Sequence, residues 1–325
     1  MTRCTTPRRH LCTTVFAAAL LACVGAQAQP LPAGPIRVIN AFPPGGPSDI
    51  ISRLLAERLQ QTLKQNVIVD NKPGAGGNIA ADMVAKSTPD GATILTGIDT
   101  IFTINPGIYK AMPFKPEDLK PLLIMASSGL LVGAHPSLGV KTLPELVAKG
   151  RTTPLNFSSG SNGSPGHLAA AIFGEATGVK VTHIPYKGNS PAVMAVLSGE
   201  VQAGVLATPG LIPHVQAGKV TALAVTSRKR SQLAPEVPTT AEAGLKELEV
   251  EVLYLAMVPA ATPEPVMAVL RNAMLEAIDQ PDIKAQFAKL DLFVERETGA
   301  AAEEMLRKQR ERYARIIKGT GMKVE

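Results

Sequence analysis

The stretch "NAFPPGGPSDIISRLL", Asn40 to Leu55, decides how the chain is read. A short apolar run, Ile36–Ile39, meets a Pro-Pro-Gly-Gly turn, and an amphipathic pattern follows from Ser48. A strand is handing over to a helix. Gly45 and Gly46 permit positive φ and close approach of another group to the backbone. Ser48 is placed to cap a helix beginning at Asp49. A helix start offers unpaired N–H groups and a partial positive charge, so this turn is either a plain connection or a cradle for an anion.

Outward from that point the same handover recurs. The runs "IRVINA", "NVIVDN", "ATILTG", "LLVGAH", "VKVTHI", "VQAGVL" and "TALAVT" alternate with helical patterns over 48–62, 78–86, 143–149, 165–176, 191–198 and 263–278. This alternation predicts an α/β fold with parallel or mixed sheets flanked by helices. Thr142 with Glu145 forms a capping box, and Ser164, Ser190 and Thr262 each stand ahead of a proline, as caps before a first-turn proline do. The segments 262–280 and 300–318 read as mostly helical.

The N-terminus is a different object. Arg3, Arg8 and Arg9 precede an apolar run from Val15 to Val24, and Ala26 and Ala28 supply a small-residue cleavage site. Residues 1–28 read as a secretory signal cleaved near Ala28. A lipoprotein site at Cys23 and a twin-arginine signal at Arg8-Arg9 are weaker readings of the same segment. Cleavage leaves 297 of the 325 residues, without cysteine, because Cys4, Cys12 and Cys23 all lie in the signal. An exported chain with no disulfide rests on its core alone, and this length suffices for that and for roughly two domains. Cleavage also removes three arginines and no acid, so the net charge falls from +6 to +3. No basic block of the nucleic-acid kind is left; "SRKR" at 227–230 reads as a solvated loop. No later run is apolar and long enough to span a bilayer.

Three further turns carry polar chemistry. "NKPGAGGNIAADM", 71–83, fails the dinucleotide pattern, since Ile79 stands where glycine or alanine is needed. "NFSSGSNGSPGHLAAAIFGEATG", 156–178, sets Ser158, Ser159, Ser161 and Ser164 ahead of a capped helix. Its "NGSPG" approaches a nucleophile elbow, but Asn162 replaces the first glycine and the loop is too long for a sharp turn. His167 and His183 have no acid partner by spacing, so a secreted serine hydrolase using Ser164 or Ser161 is the weaker alternative. "VTHIPYKGNSPAVMAVLSGE", 181–200, offers Tyr186 as a pocket wall. The histidines 135, 167, 183 and 214 are scattered and the mature chain has no cysteine, so neither a metal site nor a cofactor is expected. A site made of backbone donors and hydroxyls grips carboxylates. Asp49 does not belong against one: two unit charges ~4 Å apart at an effective dielectric of ~20 repel by roughly 4 kcal/mol. Asp49 therefore organises the loop, orders a water or meets a ligand's donor group.

Taken in order, "FPPGGPSDIISRLLAERL", "VIVDNKPGAGGNIAADMVAKSTPDGATILTG", "NFSSGSNGSPGHLAA", "HIPYKGNSPAVMAVLSGEVQAG" and "AGKVTALAVTS" with "EVPTTAEAG" resemble the Bug-type receptors, the extracytoplasmic substrate-binding proteins of tripartite tricarboxylate transporters. The resemblance runs from about Pro35 to the C-terminus. It implies a two-domain periplasmic-binding-protein architecture, type II-like, of the Venus-flytrap kind with two crossover segments near Ser127–Gly133 and Leu248–Val258. Domain 1 would comprise 29–127 and 251–325, and domain 2 would comprise 128–250. The implied function is capture of a small organic acid in the interdomain cleft, in the periplasm, without turnover, by a monomer that delivers it to membrane permease subunits. A ligand sensor for a membrane kinase is the further alternative. Carried over by motif, the ligand-binding positions are Phe42, Gly45, Gly46 and Asp49 on one side. On the other they are Ser159, Ser161, Ser164 and His167, with Tyr186. This sequence departs from the family pattern in three places. Phe42 stands for the usual Tyr, and Leu206 stands where an Asp is frequent, which argues against amino-acid ligands. The usual Trp of the second crossover is absent, with Tyr254 placed to fill its role.

Overall fold

The computed structural model describes residues 1–2 and 31–323; the expected cleavage point at Ala28 and all three cysteines lie outside the described residues. The first sheet begins with β1 (Ile36–Asn40), β2 (Val67–Asn71), β3 (Thr93–Ile98) and β4 (Leu119–Ser128). The second consists of β5 (Leu130–Ala134), β6 (Leu155–Ser159), β7 (Val181–Pro185), β8 (Ala203–Ala207) and β9 (Thr221–Val225). The chain then returns to complete the first sheet with β10 (Val252–Pro259) and β11 (Phe293–Glu297). The strand orders are β11-β4-β10-β3-β1-β2 and β7-β6-β8-β5-β9. In the first sheet β1 runs parallel to β2 and β3, while β10 is antiparallel to β3 and β4. In the second β6 runs parallel to β7 and β8, while β5 is antiparallel to β8 and β9. Each sheet thus reverses its winding at one strand, β1 or β6. In open α/β sheets ligands bind beyond the carboxyl end of such a strand.

The helices are α1 (Pro47–Leu63), α2 (Asn78–Ala85), α3 (Thr100–Thr103), α4 (Asn105–Ile108), α5 (Leu143–Gly150), α6 (Pro165–Thr177), α7 (Asn189–Leu197), α8 (Thr208–Gln216), α9 (Glu264–Asp279), α10 (Pro281–Lys289) and α11 (Gly299–Thr320). In α1, Ile51, Leu55 and Leu59 fall on one face and are buried, which is why this amphipathic segment lies on the sheet. α11 packs on α3 and β4 and also reaches α6 beside the second sheet. Among the described residues no helix is long and apolar enough to cross a membrane.

Several boundaries differ from the sequence reading, each for a local reason. β4 and β10 are buried on both faces, so they carry no alternation to betray a strand. α8 was hidden by Pro209 and Pro213, the latter inside the helix. α1 starts at Pro47 with Gly46 as its N-cap, and the Ser48 hydroxyl instead donates to Asn40 Oδ1 at 2.6 Å. α7 starts at Asn189 with Gly188 as N-cap, so Ser190 is inside the helix. Pro263, not Thr262, precedes α9. Ser164 and Thr142 do cap: Ser164 Oγ accepts the His167 N–H at 3.3 Å, and Thr142 Oγ1 accepts that of Glu145 at 3.3 Å.

The connections between the sheets are tied to one another. Leu130 N–H donates to Thr226 Oγ1 at 2.8 Å, and that hydroxyl donates to Val250 O at 2.6 Å. Thr226 N–H returns to Leu130 O at 2.8 Å, and Val250 N–H to Thr226 O at 3.0 Å. Beside them, buried Asp99 accepts the Leu253 N–H at 2.8 Å, the Thr103 hydroxyl at 2.8 Å and the Gln309 amide at 3.0 Å. Burial outweighs these bonds and pushes Asp99 up to about 7. A carboxyl raised on folding favours the folded state most below its ordinary range near 4, and that contribution is lost as pH rises through 7. Asp99→Asn turns an NH2 group toward two donors, so it is expected to cost about 1–3 kcal/mol at pH 5. It should also flatten the fall in Tm between pH 5 and pH 8. A variant whose Tm follows the wild-type slope across that window would count against this role.

Candidate functional site

A cleft of 590 Å³ opens between the two sheets, a volume suited to a small ligand. One wall is the turn after β1: Phe42, the two prolines, Gly45, Gly46, Pro47 and Ser48. The other is built from the loops after β6, β7 and β8, through Gly160, Ser164–Gly166, Lys187–Ser190 and Val205–Ala207. Ile98, Ser128, Leu130, Val252 and Tyr254 line it near the crossovers. Both reversal strands therefore deliver their carboxyl ends to one cavity.

The turn after β1 is shaped by its glycine and held by Asp49. Gly45 takes φ +85°, which favours glycine, and its N–H donates to Asp49 Oδ2 at 2.9 Å. Asp49 is 3 % exposed and does not line the cleft. Its carboxylate also accepts the Asn71 amide at 2.9 Å and Arg53 Nε at 3.1 Å. Burial raises this carboxyl, but bonds from Arg53, Gly45 and Asn71 outweigh it and the net direction is downward. Asn71 Nδ2 and Asn40 Nδ2 both donate to the Phe42 carbonyl at 3.0 Å. The glycine-rich 71–77 turn thus braces the cleft wall through Asn71 and does not enter it.

Because no side chain caps α1, the N–H groups of Gly46, Ser48 and Asp49 have no acceptor among the described residues. Gly166 in the first turn of α6, and Asn189 and Ser190 in that of α7, are likewise without one. Three helix starts carrying free donors converge on one cavity. Among the described residues Lys187 is the only charged side chain on its wall, and no described carboxylate lines it.

Of the residues singled out from sequence, Phe42, Gly45, Gly46 and Ser164 line the cleft. Ser159, Ser161, His167 and Tyr186 do not. Ser159 is fully buried with Oγ 2.6 Å from His183 Nε2, and the Ser161 carbonyl accepts from Ser164 Oγ at 2.8 Å. His167 faces a separate cavity, and the Tyr186 hydroxyl donates to Glu200 at 2.7 Å while its ring packs on the α7 side of the second sheet. Gly166, Lys187, Asn189, Ser190 and Ser128 were missed. The signal for the first four was present: "SPG" and "KGNSP" each end a strand and open a helix. Tyr254 does lie at the crossover, its hydroxyl pushed up to about 12 by burial. Leu206 is buried in the cleft wall, at the position where the family pattern frequently carries an Asp. No cluster of three or more metal-ligating side chains occurs among the described residues.

The tripartite tricarboxylate transporter family receptor model matches residues 51–322. Protein BugT of Bordetella pertussis is 33 % identical over 298 residues, covering 90 % of this chain and 91 % of BugT. Among solved structures, an R. palustris protein with adipate is 28 % identical at TM-score 0.81, covering 90 % of this chain and 99 % of that one. MatC from Rhodopseudomonas palustris with bound malate is 27 % identical at TM-score 0.77, covering 88 % and 99 %. Ordered βα turns, two sheets wound alike and a shared cleft agree with these matches, and the chain belongs to the tripartite tricarboxylate transporter receptor family.

Proposed function

We propose that this protein is a periplasmic receptor that captures a small organic acid between its two sheets and hands it, chemically unchanged, to the permease subunits of a tripartite transporter. The observation that carries this reading is the uncapped start of α1 facing the starts of α6 and α7 across one cleft in which Lys187 is the only charged side chain among the described residues. Each helix start contributes roughly 0.3–1 kcal/mol toward an anion, and up to ~2 kcal/mol where partly buried. Relatives with adipate and malate support a dicarboxylate, one carboxylate meeting the Gly46–Asp49 donors and the other the Gly166 and Asn189–Ser190 donors. Phe42, Gly45, Gly46 and Ser164 shape the contact, and Asp49 acts behind it. Residues 29–127 with 251–325, and 128–250, would move as two lobes of a monomer about the tied crossovers, closing on the ligand.

Hydrolysis by cleft-lining Ser164 would need His183 as its base, which its Oγ reaches only through Ser159, at 3.1 Å and then 2.6 Å. Ser159 is fully buried away from the cleft. The test is a calorimetric panel of malate, adipate, aspartate and glutamate, with an ester-cleavage assay beside it. At least one dicarboxylate is expected to bind. Amino acids should bind at least about tenfold more weakly than the matching diacid, ~1.4 kcal/mol, because an ammonium finds no carboxylate in the cleft. Tighter binding of glutamate than of any plain diacid, or ester turnover abolished by Ser164→Ala or Ser161→Ala, would sink the reading.

A further inference from the structure

The loop on the second wall is supported from behind by two histidines. His167 in α6 and His183 in β7 stack with ring centroids 3.7 Å apart and planes 7° from parallel. His183 Nε2 meets Ser159 Oγ at 2.6 Å, and Ser159 Oγ lies 3.1 Å from the Oγ of cleft-lining Ser164. On the other ring, His167 Nδ1 accepts the Gly163 N–H at 3.1 Å. That acceptor must be unprotonated, which places the ring proton on Nε2. Two contacts therefore pin the two ends of the 159–164 loop to one stacked pair.

Neither ring lines the cleft. Both border a separate 330 Å³ cavity, with α6 on one side, Lys180 and Val181 on another, and Thr320 and Met322 at the end of α11. Among the described residues Lys180 is the only other ionisable side chain on that wall, and no described acid lines it. No carboxylate among the described residues of that wall compensates an imidazolium. Burial pushes His167 down to about 4, and burial together with the neighbouring His167 pushes His183 to about 3.

We propose that His167 and His183 are positioning residues for ligand binding, a neutral stacked pair that fixes the Gly160–Gly166 loop and, when protonated, releases it and weakens binding. This rests on the reading that the loop holds part of the ligand. A protonated His167 Nδ1 opposes the Gly163 N–H donor to donor. A second positive charge on the stacked ring adds like-charge repulsion at close contact.

The experiment uses the mature chain, malate as the probe, and calorimetry from pH 8 to pH 3.5. Malate's own carboxyls titrate identically for every variant, so the readout is the wild-type Kd divided by that of the His167→Asn/His183→Gln double variant. Asn and Gln keep polar atoms near Nδ1 and Nε2 but do not titrate. The ratio should be flat from pH 8 to pH 6 and rise by about fourfold at pH 3.5, as protonation near pH 4 removes competent protein. His167→Leu should bind malate at least about fivefold more weakly at pH 7. A flat ratio down to pH 3.5, or wild-type affinity in His167→Leu, overturns the proposal. Amide NMR of the free protein provides a readout independent of the ligand. The Gly163 resonance should move as the imidazoles titrate in wild type and stay fixed in the double variant. If malate and adipate fail to bind while Gly163 titrates as expected, the ligand class is wrong and the histidine support stands.

Discussion

Gly166→Ala is expected to weaken dicarboxylate binding by about tenfold to a hundredfold, the equivalent of losing one hydrogen bond to a charged group. A Cβ at this position would lie 2.3 Å from the carbonyl oxygen of Val205 and 3.1 Å from the Ser159 Cβ. Val205 belongs to β8 and is paired with Val132 of β5, so the oxygen cannot retreat without distorting the sheet. The start of α6 has to move instead, taking the unpartnered Gly166 N–H with it. Such overpacking costs about 1–3 kcal/mol of stability as well. Gly178→Asn at the other end of α6 separates the two effects. Gly178 takes φ +70° with open space around its Cα, a conformation that Asn tolerates. That variant should bind normally. Equal losses in both variants, or unaltered affinity in Gly166→Ala, would show that the helix start is not where an acid is held.

The contrast between Gly166 and Ser164 shows what the sequence displays and what it conceals. Ser164 announces itself because a hydroxyl before proline is a capping signal that acts locally, and the cap is present. Gly166 is needed because β8, some 40 residues further along the chain, passes against it. No local pattern encodes that distance. The same division explains the histidines. His167 sits in a motif next to the cleft loop, but its ring is one helical face away and stacks on His183 of a different strand. Motif proximity located the loop and not the direction of its side chains. The α/β alternation was legible because amphipathic helices and β-branched strands repeat with distinct periods. β4 and β10 were not, because strands buried on both faces lose that period.

Asp49→Ala should abolish most binding, whereas Asp49→Asn should retain it within about tenfold. The buried carboxylate closes the cleft turn by accepting the Gly45 N–H, the Asn71 amide and Arg53 at once. Alanine leaves the Gly45 donor unsatisfied and frees one bond of Asn71. An orphaned group of this kind costs about 1–3 kcal/mol, and the loss falls on the segment that presents the Gly46 and Ser48 donors. Asparagine keeps an oxygen for Gly45. It also removes a negative charge behind the anion, so part of the lost anchoring is offset by reduced repulsion. The pH behaviour has a defined sign. A carboxyl lowered on folding stabilises the native state above its ordinary range near 3.8, and that contribution is lost as pH falls. Asp49→Asn should therefore show a shallower loss of Tm in acid than wild type. Calorimetry and melting curves on the two variants decide the matter. Full affinity in Asp49→Ala would remove Asp49 from the construction of the cleft, and complete loss in a well-folded Asp49→Asn would mean that its charge meets a donor on the ligand.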